Sequence, residues 1–189
     1  MQWASVFCQS SSLIKEKKVF NKDVLSAYNL QLPAGKNTHL PVSSKKLLAF
    51  VFLSPECPLS KNYSIKLLDI KKKYNEQVSF IGIIPGEFDT KEVVEFQRDY
   101  LPSWAIFKDS GLKLTHYLQG KVTPEVIVIN NHNGLLVYKG AIDDWAVSPG
   151  KTKAHYSNFY LDNALGNFLN NKKILISYHK PVGCFINDF

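Results

Sequence analysis

The chain has 189 residues, of which 45% are hydrophobic and 13% aromatic, and it carries a net charge of +7. This length fits one well-buried core with short additions, and the composition excludes disordered and collagen-like classes. The lysines are spread along the chain, Arg98 is the single arginine, and no apolar run approaches the roughly 20 residues of a membrane span, so neither a nucleic-acid site nor a transmembrane segment is predicted.

The N-terminal segment, residues 1–18, is expected to be flexible. Its short apolar stretch before Cys8 and the serine run after it are similar to the end of a secretion signal, but a basic start and a full apolar core are missing. The compartment therefore stays open, with an exported or periplasmic location favoured over a cytoplasmic one.

Hydrophobic periodicity and turn residues predict an alternation of strands and helices. In chain order, the predicted elements are a hairpin-like strand around 28–32, a strand at 45–53, a helix at 58–74, a strand at 78–84, a helix at 90–100, a strand at 104–107, a helix at 112–118, strands at 126–129 and 135–139, and a helix at 158–169. The Asn-Gly-ended loop 130–134 indicates an antiparallel hairpin.

This order predicts an α/β, three-layer fold in which helices cover both faces of a central mixed β-sheet. The domain is expected to span residues 19–171, with an irregular loop at 141–156. Residues 172–189 form a tail that is expected to dock on the domain, because exposing the apolar side chains of Phe185 and Ile186 would forgo roughly 1.5–3 kcal/mol of burial each.

Cys57 lies between the apolar strand and the helix that begins at Pro58. Unpaired N–H groups and the helix dipole at such a position favour the thiolate, which makes the cysteine nucleophilic. The neighbouring carboxylate of Glu56 opposes this effect. The alternative is an inert cysteine that packs as a small hydrophobe.

Four segments carry a more specific signal: FLSPECPLS at 52–60, VTPE at 122–125, YKGAIDD at 138–144 and PVGCFI at 181–186. From about residue 25 to the C-terminus, the chain resembles the redoxin branch of the thioredoxin superfamily, akin to the alkyl hydroperoxide reductase and thiol-specific antioxidant group. The last two segments are similar to those of bacterial redoxin-domain proteins. The resemblance implies a thioredoxin-like fold with a cis peptide bond between Thr123 and Pro124, facing Cys57.

The sequence also departs from the patterns of these relatives. Ser60 stands where a dithiol enzyme has its second cysteine, so a local resolving thiol is missing. Peroxiredoxins carry a proline and then a hydroxyl residue before the reactive cysteine; Ser54 can supply the hydroxyl, but Phe50 occupies the proline position. A copper-delivery relative would need a cysteine where Lys61 stands.

We expect a redox site made by chain segments that are distant in sequence. The candidate catalytic residues are Cys57, Ser60, Pro124 and Cys184, and the candidate substrate contacts are Ser54, Pro58, Thr123 and Glu125. The histidines lack paired ligand spacing, and no dinucleotide loop or haem-attachment motif occurs, so neither metal nor cofactor is predicted. Asp143 and Asp144 could orient a base or bind a cation, or cap a turn.

The leading functional hypothesis is a thiol-disulfide oxidoreductase in which Cys57 attacks a protein or small-molecule disulfide and an external thiol or redox protein supplies electrons. Cys57 acts either as a monothiol or with Cys184 as a distant resolving cysteine. One alternative is peroxide reduction through a sulfenic acid, for which Arg98 is the available arginine. Another is a binding module in which the thiol is incidental.

The position of Cys184 distinguishes between these functional hypotheses. The tail docks either beside Cys57, where Cys184 can resolve a disulfide, or along a sheet edge, where Cys184 packs as a small apolar residue. In either case, the helix position predicts that Cys57 alkylates at pH 7 faster than Cys8 or Cys184.

Overall fold

The computed structural model describes residues 18–41, 43–148 and 150–186, so the predicted flexible segment and Cys8 lie outside the described residues, apart from Lys18. The helices are α1 (Lys22–Ala27), α2 (Pro58–Asn62), α3 (Ser64–Tyr74), α4 (Thr90–Tyr100), α5 (Lys113–Leu118) and α6 (Tyr160–Leu169). The strands are β1 (Asn29–Gln31), β2 (Asn37–His39), β3 (Leu47–Phe52), β4 (Val78–Pro85), β5 (Ala105–Asp109), β6 (Val122–Thr123), β7 (Glu125–Asn130), β8 (Leu136–Gly140), β9 (Ala146–Ser148), β10 (Lys151–Thr152), β11 (Tyr178–His179) and β12 (Cys184–Phe185).

A mixed sheet organises the described residues. Its eight strands lie in the order β11-β8-β7-β3-β4-β5-β1-β2. Strands β3, β4 and β5 run parallel, whereas β7 is antiparallel to both β3 and β8. The predicted α/β fold with a central mixed sheet is confirmed.

Both faces of the sheet are covered, which is why every residue of β3 is buried. On one face, Val51 packs in a core with Leu67 of α3 and Leu161 of α6. On the other face, Phe50 packs with Leu114 of α5. The continuous apolar run of β3 thus reflects two cores on opposite sides of a single strand.

The predicted helix from Pro58 to Tyr74 is two helices, α2 and α3, which meet at Tyr63. The Tyr63 side chain is buried, and its hydroxyl donates a hydrogen bond of 2.7 Å to Asp143 Oδ1. Apolar periodicity continues across this junction, so the pattern alone could not locate the break. The partner that holds Tyr63 lies 80 residues further along the chain.

Short elements account for the remaining differences from the predictions. The expected irregular loop 141–156 contains the antiparallel pair β9 and β10. A short helix, α1, precedes the first strand and is capped by Asn21, whose side chain accepts from the Asp23 N–H. These elements are too short for their periodicity to be recognised.

Within the described residues, no helix is both long and apolar enough to cross a membrane.

The tail, defined here as residues 172–186, docks at two places. Strand β11 adds to the sheet edge parallel to β8, and the His179 ring stacks on the Tyr160 ring with centroids 3.9 Å apart. Strand β12 pairs antiparallel with β6, which leads directly into Pro124. The tail therefore both extends a sheet edge and reaches the start of α2, whereas the sequence presented these as alternatives.

Candidate redox site

Cys57 is the N-cap residue of α2, immediately after the turn that leaves β3. Its N–H donates to the Ser54 carbonyl over 3.2 Å, and Pro58 occupies the first helical position with an exposed ring. The Cys57 residue is only 1% exposed. The strand, turn and helix thus place the thiol at the helix start, where the residue is buried.

Ser60 and Ser54 hold the turn that carries Cys57. Ser60 is fully buried, and its Oγ accepts a hydrogen bond of 3.2 Å from the Ser54 N–H. The Ser54 Oγ in turn accepts from the Glu56 N–H over 3.3 Å. The two hydroxyls therefore satisfy backbone donors of the turn, and Ser54 is buried rather than presented to a partner.

Thr123 and Pro124 face Cys57 from the opposite side of the site. The Thr123–Pro124 peptide bond is cis, as the family resemblance implied. The Cys57 thiol donates to the Thr123 carbonyl oxygen, with Sγ and O 3.0 Å apart. Both Thr123 and Pro124 are buried.

Cys184 lies next to Cys57 although the two are separated by 127 positions in the sequence. Pairing of β12 with β6 sets Cys184 opposite Thr123 and Phe185 opposite Val122. The two sulfur atoms are 2.7 Å apart, with the Cys184 thiol donating to the Cys57 sulfur. Both cysteines are free thiols, and Cys184 is exposed. The docking of the tail beside the start of α2 is the arrangement that a resolving cysteine requires.

The surroundings of Cys57 favour its thiolate. Burial raises the pKa of this thiol, but hydrogen bonds outweigh that effect and leave the pKa below its ordinary value. The donors are the Cys184 thiol, the backbones of Ser60 and Cys184, and the Thr123 side chain. Tail residue Cys184 thus supplies two of the contacts that stabilise the negative charge on Cys57.

Cys184 has the opposite tendency. Its pKa is raised to about 12, because the thiol is partly buried, donates its proton to Cys57 and lies against the negative charge there. The two shifts therefore favour the thiolate at Cys57 and the thiol at Cys184. This asymmetry fits a nucleophile and a resolving partner.

Glu125 and Phe185 differ in exposure from what their predicted roles suggest. Glu125, a predicted substrate contact, is 1% exposed, and its carboxylate accepts from the Lys121 N–H over 2.7 Å; substrate contact by this residue stays a prediction. A buried carboxylate needs internal partners, and Lys139 Nζ at 3.6 Å provides a second one. Phe185 was expected to be buried but is 82% exposed, because the pleat of β12 turns its ring outward.

Two apolar residues near Phe185 pack against the domain and hold the tail in place. Val182 packs against the core on one face of the sheet, and Ile186 packs against the core on the other. The Ile186 N–H also donates to the Lys121 carbonyl over 3.0 Å. The tail is thus fastened on both sides of Cys184.

Arg98 lies on α4, where its guanidinium forms two exposed hydrogen bonds with the Asp99 carboxylate at 2.6 and 3.0 Å. The guanidinium is therefore paired with Asp99 on the surface.

Among the described residues, no group of three or more His, Cys, Asp and Glu side chains is placed to hold a metal ion.

Solved structures of low sequence identity share this fold. A hypothetical protein of Sinorhizobium meliloti is 20% identical, with a TM-score of 0.73 and coverage of 84% of this chain and 89% of that chain. A secreted disulfide oxidoreductase of Mycobacterium tuberculosis is 16% identical, with a TM-score of 0.52 over 61% of this chain and 84% of that one. A thioredoxin-like protein of Aeropyrum pernix is 17% identical, with a TM-score of 0.53 over 62% and 83%.

The chain has a thioredoxin-like fold. No family model and no curated protein matches it. The narrower resemblance to the peroxide-reducing branch stays a prediction.

A cavity of about 610 Å³ in this thioredoxin-like domain is lined by Gly183 and Phe185, the two chain neighbours of Cys184, but by neither cysteine. It lies between the tail and the segment that follows β8, and its lining includes Pro124, Ile142, Val182 and Phe185. Volumes in this range hold small ligands or several side chains of a partner. The cavity is therefore placed to receive groups that flank a sulfur brought to the site.

Asp143 and Asp144 have structural roles beside this cavity. Asp143 is buried, and besides the Tyr63 hydroxyl it accepts from the Trp145 N–H over 3.0 Å. Asp144 Oδ2 lies 2.6 Å from Lys153 Nζ, and the hydrogen bonds from Lys153 and Asn158 hold the pKa of Asp144 well below its usual range. These contacts support the turn-forming interpretation for both carboxylates.

Sequence reasoning missed Gly183 as a residue on which the site depends. A Cβ at this position would overlap the Thr123 carbonyl, so only glycine lets β12 lie close to β6. The signal was present in the Gly-Cys pair at 183–184, but the partner of that glycine could not be read from the sequence.

Proposed function

We propose that the chain is a thiol-disulfide oxidoreductase in which Cys57 and Cys184 alternate between a dithiol and a disulfide. The observation that carries this proposal is the 2.7 Å separation of their sulfur atoms. The lowered pKa of Cys57 and the raised pKa of Cys184 support the assignment of nucleophile and resolving thiol.

The reaction consists of two exchanges between sulfur atoms. The Cys57 thiolate attacks one sulfur of a partner disulfide; a bond forms between them, the partner's S–S bond breaks, and its other sulfur leaves as a thiolate. Cys184 then attacks Cys57 Sγ, the bond between Cys57 and the partner breaks, and the proton of Cys184 passes to a released partner sulfur. Two electrons thereby pass from the cysteine pair to the partner.

The remaining predicted site residues have positioning roles in this scheme. Ser60 does not resolve the mixed disulfide; it holds the turn and contributes a backbone hydrogen bond that lowers the pKa of Cys57. Thr123 places a carbonyl against the Cys57 thiol and its side chain against the thiolate. Pro124 forms part of the cavity wall.

Access to Cys57 requires motion of β12. Cys57 is 1% exposed while the tail is docked, so a partner disulfide reaches it only when this strand lifts from β6. We propose that the cavity beside Pro124 then receives the residues flanking the partner's cysteine. Return of β12 brings Cys184 back for the second exchange.

A structural neighbour supports the same chemistry: the Mycobacterium tuberculosis protein is a secreted disulfide oxidoreductase. No specific observation favours peroxide reduction, since Arg98 is engaged with Asp99 on the surface and Phe50 is a core residue of β3.

The proposal is tested by reduction of insulin disulfides with dithiothreitol as electron donor. Replacing Cys57 by serine should abolish the acceleration, whereas replacing Cys184 by serine should slow turnover and leave Cys57 in a mixed disulfide with insulin. Cys8→Ser serves as the control and should retain full activity. Undiminished activity of Cys57→Ser would overturn the proposal, and no acceleration by the unaltered chain would favour the binding-module alternative. Undiminished turnover of Cys184→Ser would favour a monothiol mechanism.

A further inference from the structure

The two cysteine residues of the site differ in their exposure to solvent. Cys57 is 1% exposed and lies against the Thr123 carbonyl. Cys184 is exposed, on a strand that continues outward to Phe185. With the tail docked, Cys184 is therefore more accessible than Cys57 to a molecule from solvent.

We infer that the thiol which regenerates the enzyme attacks the sulfur of Cys184, so that the mixed disulfide with the electron donor forms on the tail. This inference rests on the proposed function, because it concerns the Cys57–Cys184 disulfide. It gives the two cysteines different partners: Cys57 attacks the disulfide that is to be reduced, and Cys184 receives the reducing thiol.

Regeneration of the oxidised enzyme consists of two thiol-disulfide exchanges. The donor thiolate bonds to Cys184 Sγ, the Cys184–Cys57 bond breaks, and Cys57 leaves as a thiolate. A second donor thiolate then attacks the donor sulfur of the mixed disulfide, and Cys184 leaves and takes up a proton. Two donor thiols become one donor disulfide, and both cysteines of the enzyme are reduced.

The pKa of the leaving sulfur, like the accessibility of Cys184, favours attack on Cys184. A disulfide breaks faster when the departing sulfur has the lower pKa. Attack on Cys184 expels Cys57, whose charge is stabilised by the Ser60 and Thr123 hydrogen bonds. Attack on Cys57 would instead expel Cys184, the sulfur with the raised pKa.

Docking of the tail does not have to be disrupted for this step. Val182 and Ile186 stay packed on the two cores, and the backbone pairing of Cys184 with Thr123 can persist while the donor approaches from solvent. Reduction of a substrate by Cys57, in contrast, requires β12 to lift. Regeneration is therefore the half-reaction that tolerates a fixed tail.

The test locates the first adduct on the oxidised enzyme. The chain with Cys8→Ser is oxidised, and the Cys57–Cys184 bond is verified by peptide mass mapping. Reduced glutathione is added for a short time, the exchange is stopped with acid, and excess N-ethylmaleimide is then added under denaturing conditions to cap the cysteine that was released. We expect glutathione on Cys184 and maleimide on Cys57. Gly183→Val, which forces β12 away from Thr123, should shift a larger share of glutathione to Cys57 if the enzyme still forms the disulfide.

The outcomes separate this inference from the proposed function. Glutathione found mainly on Cys57 of the otherwise unaltered Cys8→Ser chain would overturn the inference and leave the redox pair intact. Failure of that chain to form the Cys57–Cys184 disulfide would overturn the proposed function and the inference with it. An adduct on Cys184 that is as frequent in the chain with Gly183→Val would show that burial of Cys57 does not direct the attack, and would contradict the argument from access.

Discussion

Around Cys57, single residues decide which sulfur carries the charge. Burial alone would suppress the thiolate, and the hydrogen bond from the Cys184 thiol is the first of the contacts that oppose it. A predicted helix start was the sequence signal for activation, but the structure adds contacts from β6 and β12. In the proposed scheme, the Cys57 thiolate thus depends on Cys184 for part of its stabilisation.

This dependence predicts how the thiolate titrates in two matched variants. Cys184→Ala removes the donor, so the pKa of Cys57 should rise, whereas Cys184→Ser keeps a hydroxyl donor and should raise it less. The measurement is the thiolate absorbance in the ultraviolet as a function of pH, with Cys8→Ser as the background. A pKa for Cys57 that is the same in both variants would contradict the role of the Cys184 hydrogen bond.

Ser60 gives a prediction about stability. Its Oγ is the acceptor for the buried Ser54 N–H, so Ser60→Ala leaves that donor without a partner and should reduce the free energy of unfolding by about 1–3 kcal/mol. Ser44→Ala, at an exposed position, is the control and should change it by about 0.5 kcal/mol or less. Equal urea denaturation midpoints for the two variants would show that Ser60 does not brace the turn.

At the level of elements, β12 is the strand that completes the site. Its pairing with β6 involves two residues on each side, and Gly183 makes the close approach possible. Strands of this length have little stability of their own, so the flanking contacts of Val182 and Ile186 hold the strand in place. The position of Cys184 is therefore sensitive to changes in the tail.

Gly183→Ala is predicted to loosen this strand. The added Cβ would overlap the Thr123 carbonyl, so β12 should separate from β6 and Cys57 should alkylate several times faster in the reduced protein. Gly111→Ala is the matched control, because its Cβ would meet only the Lys113 side chain at an ordinary 3.9 Å. The readout is the rate of iodoacetamide labelling at Cys57, and a rate as slow as that of the control would contradict covering by the tail.

This result also bears on the predicted order of alkylation. The helix start favours a fast reaction at Cys57, but its 1% exposure limits the access of any reagent. The sequence indicates that the Cys57 thiolate is favoured, but it does not indicate that the tail buries Cys57. The ranking of Cys57 above Cys8 and Cys184 stays a prediction, and it should hold most clearly in the Gly183→Ala variant.

The long regular elements were predictable because their periodicity follows from their own cores. The strand at 47–52 and the helix at 90–100 show this, since each has apolar residues repeated at the spacing of its element. The tail was not predictable in the same way. The pairing of Cys184 with Thr123 depends on contacts between residues far apart in the sequence, and no local pattern encodes such a contact.

For the whole molecule, the two cysteines connect the start of α2 to the end of the described chain. Closing a loop of this length restricts the unfolded chain, which stabilises the folded state by up to about 5 kcal/mol when the disulfide is formed. Oxidised protein should therefore unfold at a higher urea concentration than reduced protein, and Cys184→Ser should show no such difference. Equal midpoints for oxidised and reduced protein would contradict a disulfide that is compatible with the fold.

At this scale the sequence indicated the fold class and the residues of the site but not their arrangement. Segments near residues 57, 123 and 184 were each singled out, because a helix start, a Thr-Pro pair and the segment PVGCFI at 181–186 are visible locally. Their convergence depends on how β7 and the tail are placed in three dimensions. The exposure of Phe185 and the internal pairing of Glu125 could not be predicted for the same reason.

The central claim is that Cys57 and Cys184 form one redox pair, and a disulfide map tests it most directly. The wild-type chain is equilibrated in glutathione buffers from reducing to oxidising, trapped with acid and alkylating reagent, digested and analysed by mass spectrometry. The account predicts one dominant protein disulfide, Cys57–Cys184, that appears and disappears reversibly across the series while Cys8 stays outside it. A Cys57 that remains a free thiol or carries only glutathione throughout, with Cys184 unlinked, would contradict the account.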